Sequence, residues 1–173
     1  VTFGTGAAPG EDWPSLLARM TGWRISNAGV PGDTAETAKE RIQALLDEQQ
    51  PALVIIELGG NDFLRRRSPK AVKDDLRWII QQVRKSGAQI VLVAVPELSV
   101  LGLVARKASD SPIYRELAGE EKVALISDVF SDILVHPELC ADQIHPNAKG
   151  YQQMAREIHA RLKTLGLASI QAV

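Results

Sequence analysis

Ala52-Leu53-Val54-Ile55-Ile56-Glu57-Leu58 runs directly into Gly59-Gly60-Asn61-Asp62. The first seven residues form a nearly continuous apolar run with a β-branched centre, the pattern of a strand buried on both faces. The glycine pair stops it. Pro51 bounds the run upstream. Downstream, Ser68-Pro69 places a cap and a first-turn proline ahead of a helix running to about Lys85, with Val72, Leu76, Ile79, Ile80 and Val83 on its apolar face. Gly87 closes that helix. Gln89 to Val95 is the next apolar run, stopped by Pro96. Strand, helix and strand at this spacing make a βαβ unit, whose two strands are parallel.

The same alternation extends outward. Glu11 to Thr21 reads as a first helix, with Pro14 in its first turn, Leu16, Leu17 and Met20 on one face and Gly22 as its stop. Trp23 to Ala28 is a short strand candidate. Asp33 to Glu48 is a second helix, because Asp33-Thr34-Ala35-Glu36 has capping-box spacing and Ala35, Ala38, Ile42 and Leu45 form a stripe. Beyond Pro96, Glu97 to Asp110 is a partly apolar connection. Ser111-Pro112 opens a helix reaching about Gly119, and Lys122 to Ile126 is a last strand. Asn147 caps a final helix that presents Tyr151, Met154, Ala155, Ile158, Leu162 and Leu165 on one face. Trp13, Trp23 and Trp78 fit core or partial-core positions. The pattern predicts an α/β fold with a parallel sheet covered on both faces, and ligands bind such sheets at the carboxyl ends of the strands.

Composition narrows the function classes. The 173 residues are 45% hydrophobic and 24% charged, as in an ordinary globular domain. Lys and Arg total 20 against 21 Asp and Glu, so the basic excess of a nucleic-acid binder is missing. Cys140 stands alone, which excludes an internal disulfide framework and a Cys-rich zinc site. Three histidines leave little room for a His-built metal centre. The apolar runs are far too short for a membrane span.

Three clusters fall at predicted strand ends: Asn27-Ala28-Gly29-Val30-Pro31-Gly32-Asp33-Thr34, Gly59-Gly60-Asn61-Asp62, and Asp142-Gln143-Ile144-His145-Pro146. In a parallel sheet they would converge on one edge. Asp142 and His145, three residues apart, can form an acid that holds the imidazole through Nδ1 and leaves Nε2 as a base. A turn with a satisfied histidine fits the spacing equally well. Asn61, after its glycine pair, is either a donor to an oxyanion or an ordinary turn residue. Gly32, ahead of the second helix, is either a second such donor or a plain turn glycine. A base, its acid and two donors together suggest acyl transfer. No nucleophile accompanies them: Ser15, Ser26, Ser68, Ser86, Ser111 and Ser127 fall in helices, caps or strands, and Cys140 has apolar or acidic neighbours.

In this order and spacing, the clusters resemble the SGNH (GDSL) hydrolase superfamily, in particular bacterial arylesterases and thioesterase/lysophospholipase-type esterases. The likeness runs over essentially the whole chain. Val1-Thr2-Phe3-Gly4-Thr5-Gly6 looks like the continuation of the family's first block, Gly-Asp-Ser, directly after its serine. The second-block glycine matches Gly32, the Gly-x-Asn-Asp block matches Gly59 to Asp62 with Asn61 as the oxyanion asparagine, and the Asp-x-x-His block matches Asp142 and His145. The resemblance implies a three-layer α/β/α flavodoxin-like fold with a parallel sheet of about five strands. Residues 1–173 would be a single SGNH domain, with the first strand and the nucleophilic serine expected immediately before Val1.

It implies a serine hydrolase acting on carboxylic esters, with thioesters or lysophospholipids in range, and needing no metal or cofactor. Its partner would be a small acyl ester or lipid-like substrate. A carbohydrate acetylesterase of the same family and a non-catalytic flavodoxin-like binding module are the alternatives. Phe63 and Leu64, with Pro96, Leu98, Val100, Leu101, Leu103 and Val104, would line an acyl groove or else pack beneath a loop. Arg65-Arg66-Arg67, Lys70 and Lys73 read as a solvated face or as partners for phosphate. His136 and His159 are poorer candidates for the base. Cytoplasm and periplasm both stay open, since a secretion signal would lie upstream of Val1.

Overall fold

The structure is a computed structural model that describes residues 1–98, 102, 105 and 107–167. In chain order its elements are α1 (Trp13–Thr21), α2 (Ala35–Gln49), β1 (Leu53–Ile56), α3 (Gly60–Leu64), α4 (Pro69–Lys85), β2 (Gln89–Val93), α5 (Pro112–Glu121), β3 (Ala124–Ile126), α6 (Val129–Leu134), a 3-10 turn (Pro137–Leu139) and α7 (Ala148–Thr164). They divide into two compact units. One comprises Val1–Pro31, Val100–Ala108 and Val129–Val173, the other Gly32–Ser99 and Ser109–Asp128.

The second unit holds the sheet. Among the described residues it has three parallel strands in the order β1-β2-β3, with Leu53 opposite Gln89, Ile56 opposite Leu92, and Val93 opposite Ile126. The α/β reading therefore holds, with α4 joining β1 to β2 and α5 joining β2 to β3. Helix α4 begins as its residues dictate, with Ser68 Oγ accepting the Ala71 N–H at 3.1 Å and Pro69 in the first turn. All five expected face residues, Val72, Leu76, Ile79, Ile80 and Val83, are buried. Each such side chain removed from water contributes about 1.5–3 kcal/mol, which is why this face decides where the helix lies. On the outer side, Lys73 meets Glu116 and Glu120, Arg77 meets Glu120 and Glu121, and Arg84 meets Glu121, so an ion-pair ladder ties α4 to α5.

The cap of helix α2 is Thr34, one residue later than the expected Asp33. Thr34 and Thr37 form the reciprocal capping box, each side-chain oxygen accepting the other residue's N–H at 3.1 and 2.9 Å. Asp33 instead turns its carboxylate to Arg41 and the Thr37 hydroxyl. Ala35, Ala38 and Leu46 are buried, while Ile42 and Leu45 are only half-buried. Trp78 is not a core residue: it is 38% exposed, with the Lys39 ammonium 5.5 Å from its ring centroid, a cation–π contact between α2 and α4.

In the first unit α1 packs on α7, which also meets α6 and the 3-10 turn. Asp12 caps α1 by accepting the Ser15 N–H at 2.9 Å, and Gly22 ends it in the left-handed conformation. Residues 23–28 form no strand. Exposure alternates from Trp23 to Ser26 as a strand's would, but Asn27 then turns the chain. Its Oδ1 accepts the Gly29 N–H at 2.9 Å and its Nδ2 donates to the Thr2 carbonyl at 2.7 Å. Helix α7 stops at Thr164, so Leu165 falls beyond the expected face and is 41% exposed.

The carboxyl end of β1 depends on one glycine. Gly59 has φ +131°, and a Cβ there would collide with the Tyr114 hydroxyl, which donates to the Leu58 carbonyl. Burial pushes the Tyr114 hydroxyl well up from its ordinary range, so it remains a protonated donor. Gly59→Ala should destabilise the protein by about 3 kcal/mol, from backbone strain plus the clash. Urea unfolding at unchanged m-value would read this, and a midpoint equal to that of the parent protein would rule out the close approach.

Candidate active site

Asp142 and His145 meet as their spacing predicts. His145 Nδ1 lies 2.9 Å from Asp142 Oδ2 and 3.1 Å from Oδ1. The carboxylate is itself oriented by two backbone donors, the Ile144 and His145 N–H groups, each 2.8 Å from Oδ1. Burial pushes the Asp142 carboxyl up, but these N–H groups and the imidazole outweigh it and hold the acid below its usual range. The acid is thus ionised and aligned to accept from Nδ1–H, which leaves Nε2 to act on a substrate or nucleophile.

The turn that carries the pair is fixed on both flanks. Cys140 and Pro146 form an antiparallel bridge, and the Ala141 N–H donates to the His145 carbonyl at 2.9 Å. Asn147 caps α7 through the Gly150 N–H at 3.0 Å while its Nδ2 donates to the Glu138 carbonyl at 2.9 Å. The N-terminal loop packs on the same turn. A Cβ at Gly6, whose φ is +103°, would collide with the Pro146 carbonyl and stand 3.4 Å from His145 Cβ. Tyr151 of α7 donates to the Thr5 carbonyl at 2.6 Å. The segment resembling the remainder of a nucleophile block therefore lies against the histidine turn, within one unit.

Gly32 and Asn61 belong to the other unit and are brought together there. The Asn61 Nδ2 donates one of its two N–H bonds to the Asp33 carbonyl at 2.9 Å, which fixes the amide and leaves the second N–H to point elsewhere. Asp62, with no solvent exposure, accepts the Ala35 N–H at 3.0 Å and Arg67 Nη1 at 2.6 Å. Arg67 continues to Asp75 at 2.9 Å, and the bond to Asp62 is the largest influence raising its pKa. Gly32 has φ +79° and precedes the Thr34 cap by two residues, so its N–H lies ahead of the first turn of α2 rather than within it.

The expected groove residues have mixed positions. Leu98 is buried, its Cδ1 3.6 Å from where a Cβ on Gly60 would stand. Pro96 is buried and bridged to Asp110. Phe63 sets its ring edge-on to Tyr114 at 6.5 Å. Leu64, at 39% exposure, is the one of these four that is open to solvent. Val100, Leu101, Leu103 and Val104 lie outside the described residues. Of the basic run, Lys73 and Arg67 are taken up by carboxylates, whereas Arg65 donates to the Gly32 carbonyl at 3.2 Å. The Arg65 and Asp62 contacts were not readable from the sequence. Each partner lies about thirty residues upstream, and an arginine run or an Asn-Asp pair looks the same whether or not it has such a partner.

The chain is similar to known proteins over most of its length. The chain is 31% identical to the esterase TesA of Pseudomonas aeruginosa over 171 residues, covering 95% of this chain and 85% of that protein. It is 36% identical over 140 residues to a protein of Escherichia coli K12 named thioesterase 1/protease 1/lysophospholipase L1, covering 78% of this chain and 66% of that one. A crystal structure of TesA superposes with a TM-score of 0.81 at 29% identity, over 93% of this chain and 92% of that one. One of the SGNH-hydrolase family esterase AlinE4 superposes with a TM-score of 0.70 at 29% identity, over 99% of this chain and 92% of that one, so the α/β fold is of the SGNH hydrolase type. The profile of the GDSL-like lipase/acylhydrolase family matches residues 1–153, a span that takes in Gly32, Asn61, Asp142 and His145 alike, and the chain belongs to that family.

Proposed function

We propose that the chain hydrolyses carboxylic esters through an acyl-serine intermediate, with His145 as general base, Asp142 as the acid that orients it, and the Asn61 amide and Gly32 N–H as oxyanion donors. The carrying observation is the contact of 2.9 Å between His145 Nδ1 and an Asp142 carboxylate that two further N–H groups hold in place. Ester cleavage is also what the relatives' names have in common. We assign the nucleophile to the serine of the family's Gly-Asp-Ser block, immediately ahead of Val1. The packing of Gly6 on the His145 turn supports this, because it puts the continuation of that block beside the base.

In the first half-reaction the serine hydroxyl gives its proton to His145 Nε2 as its oxygen bonds to the ester carbonyl carbon. The negative charge that develops on the carbonyl oxygen is met by N–H donors. The imidazolium then returns the proton to the leaving alkoxide as the carbon–oxygen bond breaks. In the second half-reaction water repeats the attack through the same base and releases the acid. No helix among the described residues is long and apolar enough to cross a membrane. We take the substrate to be a small acyl ester or a lipid-like ester. The exposed Leu64, next along α3 from the Asn61 block, would meet its acyl chain.

Three outcomes test this reading. A serine-directed fluorophosphonate should add once, on the peptide that runs into Val1-Thr2-Phe3, and p-nitrophenyl butyrate should be hydrolysed. Labelling elsewhere would displace the assigned nucleophile. His145→Ala should lower kcat about 10³-fold or more, and Asn61→Ala about 10²–10³-fold, with both variants still folded by circular dichroism. Activity at parent level in either variant would remove that residue from its role. The base must be neutral to accept a proton, so kcat/KM should fall in acid as the imidazole is protonated. Asp142 adds no second limb near neutrality. Its carboxyl is held below the ordinary range, so the stabilisation its ionised form gives is present above about pH 4 and lost only in more acidic solution. A kcat/KM that shows no fall on acidification while the protein stays folded would exclude His145 as the base.

A further inference from the structure

Asn61 and Arg65 are four residues apart, and the Arg65 N–H closes a helical hydrogen bond to the Asn61 carbonyl at 3.0 Å, so the two side chains leave the same face of one turn. Each takes a carbonyl of the segment that precedes α2. Asn61 Nδ2 donates to Asp33 O at 2.9 Å, and Arg65 Nη2 donates to Gly32 O at 3.2 Å. Asp62, between them in sequence, accepts the Ala35 N–H at 3.0 Å. Residues 32–35 are thus gripped at three points by residues 61–65. Two of these grips act on Asp33 and Ala35, in the part of the segment that the Thr34 cap also orders. The third acts on Gly32 alone.

Gly32 is where such a hold matters most. It has no side chain to restrain it and sits at φ +79°, a conformation glycine leaves as readily as it enters. Among the described residues beyond its chain neighbours, the one heavy atom within 4 Å of where a Cβ would stand is Arg65 Nη2, at 3.8 Å. The Arg65 guanidinium holds the Gly32 carbonyl and with it the plane of the Gly32–Asp33 peptide, to which the plane carrying the Gly32 N–H is joined through the Gly32 φ and ψ angles.

We propose that Arg65 is a positioning residue for ester hydrolysis, holding the Gly32 backbone so that the Gly32 N–H stays aimed at the developing oxyanion. The inference rests on the reading of Gly32 and Asn61 as oxyanion donors. A donor that is present but loosely aimed stabilises the transition state less without altering the binding of the ground state. Arg65 and Gly32 are both solvent-exposed, so losing their hydrogen bond leaves no buried group unsatisfied. Its loss should therefore appear in catalysis and not in stability.

The test compares the parent protein with Arg65→Ala and Arg65→Lys on p-nitrophenyl butyrate, together with thermal unfolding and ¹⁵N relaxation at the Gly32 amide. Arg65→Ala should lower kcat about tenfold with KM changed less than about twofold, keep its melting temperature within about 2 °C, and show a lower order parameter at Gly32. Arg65→Lys, which keeps one charged donor but loses the planar fork, should recover part of kcat. A raised KM at unchanged kcat would overturn the proposal and make Arg65 a substrate contact. A parallel fall in kcat and melting temperature, with no recovery in the lysine variant, would overturn it as plain structure. If the parent protein hydrolyses no ester, the proposed function fails by itself. The relaxation data then decide separately, with an unchanged order parameter at Gly32 ending the positioning role as well.

Discussion

The Asp62 carboxylate is closed off from solvent, and a buried negative charge is tolerable only where its oxygens meet donors and a counter-charge. Here one oxygen accepts the Ala35 N–H, a helix-terminal donor with no partner inside its own helix, and the other accepts the Arg67 guanidinium. Removing either contact would leave a charge or a donor stranded, so the start of α2 and the turn after β1 are held in one relative position. Asn61 precedes Asp62 directly, so anchoring the acid also fixes where the amide stands. The Asn61 bond to the Asp33 carbonyl is then one more stitch in a seam already closed. Gly59 makes the same turn possible from the other side, since only a residue without Cβ can pass the Tyr114 hydroxyl there.

Much of this was legible in the residues, and what was not has a physical reason. Helix α4 could be read to the residue because cap, first-turn proline, apolar stripe and closing glycine all agree. Helix α2 was misplaced at its start because Asp33 and Thr34 are both good caps. The choice between them is made by Arg41, eight residues along, which draws the Asp33 carboxylate away. Residues 23–28 have the alternation of a strand, but a strand is defined by its ladder, and among the described residues none forms on them. Trp78 fits a core or partial-core position by its size and apolar ring, yet it is 38% exposed. A lysine one helix away covers it instead. At the site, Asp142 and His145 were readable because their contact is local. The Arg65 grip on Gly32 is not local, and nothing in an arginine triplet says which member finds a carbonyl.

The two units treat their chemistry-bearing residues differently. Asp142 is half exposed, and what orders it is backbone: two N–H groups of its own turn. The Asn61 amide is held by a backbone carbonyl of another element, Asp33 O, whereas the Gly32 carbonyl is held by a side chain, that of Arg65. The first arrangement survives changes in neighbouring side chains, because backbone donors do not mutate. The hold on Gly32 depends on the identity of Arg65, and a substitution there would be felt at the Gly32 backbone.

Asn147 both opens α7 and ties back to the Glu138 carbonyl, and Tyr151, fully buried one turn later, reaches the Thr5 carbonyl. The histidine turn, the N-terminal loop and the first turns of a long helix are consequently tied to one another. An exposed four-residue turn would ordinarily sit at the low-stability end of a protein, but opening this one also costs contacts to the helix that follows it.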